Sequence, residues 1–260
     1  MLQIEQIVSH YPPALQPFRG FILREYLQYK ILEIIARLPN AQQLSFLGGT
    51  ALRLLYDNQR FSEDIDFDNF GLSPTDFADL AEAVRQGLTA EGMAVEVSVT
   101  GQEAMRCEVR FPGLLFASGL SAHQDQKILL QIDTLAQGVA YEPEQVILNK
   151  FDVFASIRAT PKSMLLAQKL YTCVHRRRPK GRDFFDIVFL LALGVVPDYH
   201  FLEQKVGITT EDELRTYILE QTQTFDFSAL VDDVARFLFR QQDADKIRNF
   251  REIITSARLS

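Results

Sequence analysis

The sequence predicts an α+β fold: a first half that mixes helices with strands, then an all-helical half. Three observations support this. Short β-like runs are confined to residues 43–158. Apolar residues at helical spacing fill residues 18–38 and almost everything beyond 160. The change of pattern falls at Thr160-Pro161, with proline at a first helical position.

In chain order, Phe18, Ile22, Tyr26, Tyr29, Leu32, Ile35 and Leu38 recur every three or four residues, so 18–38 reads as one amphipathic helix stopped by Pro39-Asn40. Residues 43–47 form a short strand, Gly48-Gly49 turns the chain, and 50–56 start a helix of good formers. The run 64–68, DIDFD, alternates. Period two puts Ile65 and Phe67 on one face of a strand and Asp64, Asp66 and Asp68 on the other. Ser73-Pro74 is an N-cap and first position, and Gly92 closes that helix. Strand-like segments follow at 94–100, 104–111 and 127–135, with a further candidate at 153–158. Beyond Thr160, expected as a capping residue, helices are expected over 162–177, 182–193, 199–206, 211–222, 228–240 and 243–256. The expected domains are therefore 1–160 and 161–260, with the helical part completing an active-site cleft.

Composition narrows the functional classes. A net charge of −7 argues against broad, charge-driven binding of nucleic acid, though not against a local basic patch. Cys107 and Cys173 are too few for a disulfide framework and read as buried thiols. The N-terminus lacks the pattern of a signal peptide, and the longest apolar run, 184–196, is broken by Asp186 and Gly194. A cytoplasmic location without membrane contact is expected. No P-loop or zinc-ligand spacing occurs.

The candidate chemistry begins with Asp64 and Asp66. Residues i and i+2 of a strand point the same way, about 6–7 Å apart. Two such carboxylates can hold a hard divalent cation together with substrate phosphates, or they can face water on an edge strand. Just upstream, Gly48, Gly49 and Thr50 offer either a phosphate cradle at a helix N-terminus or a plain left-handed turn. Asp133, ending an apolar strand, is a third metal ligand or a turn-initiating residue. Arg176, Arg177, Arg178, Lys180 and Arg182 crowd one segment, which can neutralise a triphosphate, guide an RNA backbone, or simply be a solvated loop. Asp183 is placed to cap the next helix, and Asp186, one turn on, to pair with Arg182 or Lys169 or to act on substrate.

The run FLGGTALRLLYDNQRFSEDIDF, followed far downstream by QKLYTCVHRRRPKGRDFFDI, resembles the AbiEii/AbiGii-type nucleotidyltransferases, toxins of a type IV toxin–antitoxin class. The matching positions are Gly48, Gly49, Thr50, Arg60, Ser62, Asp64 and Asp66, then Lys169, Arg182, Asp183 and Asp186. This resemblance implies a polymerase-β-like nucleotidyltransferase fold. The implied activity transfers a nucleoside monophosphate from an NTP to an acceptor hydroxyl, with RNA such as a tRNA 3′ end as acceptor and an antitoxin as partner. It further implies Mg²⁺ or Mn²⁺ held by Asp64, Asp66 and Asp133. Nucleotide contacts are implied for Gly48, Gly49, Thr50, Arg60, Ser62 and Arg182. Catalytic roles are implied for Lys169, Asp183 and Asp186 beside the three acids, with Asp133 or Asp186 taking the acceptor proton. Two alternatives stand beside this one: transfer to a protein or small-molecule hydroxyl, and a degenerate nucleotide binder without turnover. The resemblance further predicts that Asp64 and Asp66 face Lys169 and Asp183 across the cleft.

Overall fold

A computed structural model describes all 260 residues. The chain divides into two compact units, one built from residues 1–55, 61–138 and 143–159 and the other from 56–60, 139–142 and 160–260.

In the first unit the order is α1 (Ile4–Ser9), α2 (Arg19–Ala36), β1 (Leu44–Leu47), α3 (Gly48–Tyr56), β2 (Ile65–Asn69), α4 (Pro74–Ala90), β3 (Glu96–Thr100), β4 (Met105–Phe111), α5 (Leu114–Ala117), β5 (Ile128–Leu135), β6 (Glu144–Lys150) and β7 (Val153–Ala159). The strands form one mixed seven-stranded sheet in the order β3-β4-β5-β2-β1-β7-β6. β2 runs parallel to β5 and β1 parallel to β7; the other pairs are antiparallel. Alternation sorts the faces: Ile65, Phe67, Cys107, Ile132 and Met105 are buried on one side, leaving the acidic positions of β2 for the other. Cys107 is a free thiol, and burial pushes its pKa up to about 12.

Helix α2 departs from the amphipathic expectation. Glu25, Gln28, Lys30 and Glu33 are all buried along with its apolar residues. Ion pairs satisfy the charges: Glu25 receives Arg53 and Lys150, each at 2.9 Å, and Lys30 meets Glu33 at 2.9 Å and Glu91 at 2.7 Å. Helix α4 starts as its sequence suggests, with Ser73 and Asp76 exchanging the bonds of a capping box. The hairpin β6–β7 turns through Phe151 at φ 59, a left-handed position without the glycine or asparagine that marks such turns. That missing signal, and the exposed Ile147 in an edge strand, hid β6 from the sequence reading.

The second unit contains α6 (Lys162–His175), α7 (Gly181–Ala192), α8 (Tyr199–Val206), α9 (Glu211–Gln221), α10 (Phe227–Ala235), α11 (Asp245–Arg248) and α12 (Phe250–Ser256). Phe184 packs edge-on against Phe225, Phe227 and Phe250 in its core. Gly181 permits close approach: a Cβ there would lie 1.8 Å from the Leu230 carbonyl oxygen. Two sequence expectations are corrected here. The N-cap of α6 is Pro161, without a side-chain cap, while the Thr160 hydroxyl bonds Tyr141. The helix expected over 228–240 stops at Ala235, because Leu238 and Phe239 pair by backbone with Arg60 and Gln59. No helix is long and apolar enough to cross a membrane.

Candidate active site

The first unit brings together Gly48, Gly49, Thr50, Asp64, Asp66 and Asp133. Strand register aligns Leu47, Asp66, Asp133 and Arg106 in one row across β1, β2, β5 and β4. Partners in a row stand about 5 Å apart and face the same way. Asp64 sits just before β2 and Asp66 inside it, both half-buried. Beside this row lies a cavity of about 440 Å³ lined by Asp66, Arg106, Asp133, Thr100, Leu135 and Gln137, at the carboxyl end of β5 and the start of β2.

The glycine turn is tied to Asp66. Gly48 has φ +80 and opens α3, and a Cβ at Gly48 would lie 2.5 Å from an Asp66 carboxylate oxygen. Only glycine satisfies both the left-handed backbone and that approach. Thr50 corrects an expectation: it is fully buried, and its hydroxyl donates to the Asp64 main-chain carbonyl rather than facing a phosphate. It positions Asp64. Ser62 contributes through its backbone, since its carbonyl and that of Glu63 accept from Gln28 at 3.1 and 3.0 Å. The Asp64 carboxylate lies in the field of Arg24 and Arg106, whose pKa values it helps to raise; Arg24 is nonetheless lowered, chiefly by burial.

Asp133 also departs from expectation. Both its oxygens are engaged by Arg106, whose Nε and Nη2 each donate at 2.8 Å. Register sets Asp133 beside Asp66, but with Asp133 turned to Arg106 no group of three His, Cys, Asp or Glu side chains in the chain is arranged to hold a metal. The donor set that remains is Asp64 with Asp66. Oxygen ligands of this kind, one or two carboxylates completed by substrate phosphates, are what Mg²⁺ accepts. The carboxylate of Asp66 occupies the space that a Cβ at Gly48 would fill, and with Asp64 it supplies the oxygen donors such an ion takes, so a two-carboxylate metal site fits these residues.

The second unit brings together Arg60, Lys169, Asp183 and Asp186, and adds Asn58, which the sequence reading missed. Asp186 is fully buried. It accepts from Asn58 at 2.8 Å and from Arg60 Nε and Nη2 at 2.7 Å each, and pairs with Lys169 at 2.8 Å. Burial alone would raise its pKa, but Arg60 and Lys169 hold it down at about 2. Three corrections follow. Arg60 is 1% exposed and committed to Asp186, so it is not open to a nucleotide. Asp186 pairs with Lys169, one of its two expected partners, and with Arg60 in place of Arg182, and a fully buried carboxylate so held is not reachable by an acceptor. Asp183 lies inside α7, whose N-cap is Lys180, and gives its oxygens to Lys169 at 2.9 Å and Arg176 at 3.4 Å instead of capping. Burial pushes the Lys169 ammonium down, yet Asp183 and Asp186 together hold its pKa above the ordinary value. Lys180 pairs with Asp233 at 3.2 Å, Arg177 and Arg178 are exposed, and Arg182 is half-buried.

Comparison with known proteins places the chain in a family. Residues 30–256 match the family described as nucleotidyl transferase AbiEii toxin, type IV TA system. The chain therefore belongs to the AbiEii nucleotidyltransferase toxin family and is a nucleotidyltransferase. Its fold is similar to that of JHP933 from Helicobacter pylori (TM-score 0.54, 19% identity, covering 90% of this chain and 91% of that one). A second H. pylori structure, a "putative nucleotidyltransferase", matches with TM-score 0.55, 19% identity and coverage of 90% and 94%. At that identity the likeness bears on the fold, a mixed-sheet nucleotidyltransferase architecture of polymerase-β type. No curated protein matches the chain at a significant level.

Proposed function

We propose that the chain transfers a nucleoside monophosphate from an NTP to an RNA hydroxyl, such as that of a tRNA 3′ end, with release of pyrophosphate, as the toxin of a toxin–antitoxin pair. The observation that carries this reading is the coupling of Gly48 to Asp66: a left-handed glycine whose missing Cβ makes room for the carboxylate, at the start of a helix. In this reading first-turn amides of α3 bind phosphate oxygens. Asp64, oriented through its carbonyl by Thr50, and Asp66 hold Mg²⁺ or Mn²⁺. That cation, when bound, neutralises charge developing on the phosphoryl oxygens. The cavity beside Asp66 receives the reacting groups. Of the two acids considered for the acceptor proton, Asp133 is the reachable one, at 28% side-chain exposure.

RNA as acceptor is supported by the basic segment of the second unit. Arg177 and Arg178 are exposed and, like Arg182, have no carboxylate partner. In a chain of net charge −7 these guanidinia are a local exception suited to a phosphodiester backbone. An antitoxin partner follows from the family. The test is incubation with each labelled NTP, Mg²⁺ and total RNA, with Asp66→Asn and EDTA as controls. Label in RNA that is lost in both controls is the expected result. Label in protein or in small molecules moves the acceptor class, and no transfer to any acceptor, with Asp66→Asn indistinguishable from the parent, refutes turnover.

A further inference from the structure

Two Arg–Asp forks in this protein have the same geometry and opposite surroundings. Arg60–Asp186 is sealed, at 1% and 0% side-chain exposure. Arg106–Asp133 is open, at 48% and 28%, and borders the cavity beside Asp66. A solvent-exposed ion pair shifts an equilibrium by a factor of about five at most, so the second fork is readily exchanged. Register makes the exchange partner plain: Asp133 is the β5 neighbour of Asp66, and Arg106 is the β4 neighbour of Asp133 on the far side.

We propose that Arg106 is a positioning residue that controls Asp133. In the resting chain it holds both carboxylate oxygens. When a divalent cation is bound at Asp66, Asp133 turns along the row to become a further ligand, and the freed guanidinium takes a phosphate oxygen entering the cavity. Cation and anion thereby promote each other's binding, because each removes one member of the fork. The inference rests on the reading that Asp64 and Asp66 hold the metal.

The test is Mn²⁺ binding to the full chain, followed by electron paramagnetic resonance, with and without inorganic tripolyphosphate. Without the anion, Arg106→Gln binds Mn²⁺ about two- to fivefold tighter than the parent, and adding Asp133→Asn abolishes the gain. Tripolyphosphate tightens Mn²⁺ binding more in the parent than in Arg106→Gln. Equal or weaker Mn²⁺ binding by Arg106→Gln, or a gain that survives Asp133→Asn, overturns the proposal while leaving the metal reading intact. Mn²⁺ binding unaffected by Asp66→Asn overturns the metal reading itself, and this proposal with it. Arg106 is half-exposed, and matching melting curves establish that the variant folds.

Discussion

Replacing Asp186 by asparagine separates a structural role from a catalytic one. The substitution keeps the shape and removes the charge that Arg60 and Lys169 share. Arg60 is 1% exposed and loses the carboxylate that accepts from its Nε and Nη2, at 2.7 Å each. Lys169, 14% exposed, keeps Asp183 at 2.9 Å. The cost is therefore that of breaking a buried ion pair from one side, about 3–5 kcal/mol. For a chain of this size, each kcal/mol lowers the melting temperature by roughly 2–4 °C, so a fall of roughly 6–20 °C is expected. Calorimetry or circular dichroism measures it, with transfer assayed well below the new transition. The expected result is a large loss of stability with turnover retained in the folded fraction. Unchanged stability together with abolished turnover would refute this account and return Asp186 to the substrate.

Other outcomes follow from the same geometry. Asp186 titrates at about 2 when folded against an ordinary 3.8, so its contribution is fully present above about pH 4 and is lost as pH falls towards 2. Acid titration should accordingly destabilise the parent over that window and Asp186→Asn much less. Gly48→Ala forces a Cβ against Asp66 at φ +80 and should lower turnover at least tenfold, with a stability change of about 1–2 kcal/mol; normal turnover would mean that the glycine is not part of the site. Thr50→Val removes the bond to the Asp64 carbonyl and should cost about 1–3 kcal/mol in denaturant unfolding, together with reduced turnover. Arg177→Glu with Arg178→Glu should raise the apparent KM for RNA and reduce the salt dependence of binding by roughly two, without affecting NTP binding; an unchanged salt slope counts against RNA contact there.

How much of this was legible in the sequence depended on whether the deciding contact was local. The strand β2 could be read because alternation is a property of five consecutive residues, and the helix start at Ser73 because its capping box spans four. The glycine turn could be read as a turn, yet its reason, the Asp66 carboxylate 2.5 Å from a missing Cβ, depends on the pairing of β1 with β2. Arg106 was invisible for the same cause. It is one charged position among several in an alternating strand, and only the β4–β5 register sets it against Asp133. Helix α2 carried a misleading local signal: its polar positions imply a wet face, but partners as distant as Lys150 bury them.

The downstream lysine and R-D-x-x-D show the limit from the other side. The pattern is readable in the sequence, and the family resemblance it carries implies catalysis. Charged residues held at fixed spacing have two physical explanations, contact with substrate or mutual satisfaction in a dry core, and sequence does not separate them. Burial does. Asp186, fully enclosed by Asn58, Arg60 and Lys169, needs those partners to be charged at all. In this structure Arg60, Lys169 and Asp186 join two distant stretches of one unit through buried ion pairs. The proposed chemistry rests instead on Asp64, Asp66, Asp133 and Arg106, which all stay partly open to solvent.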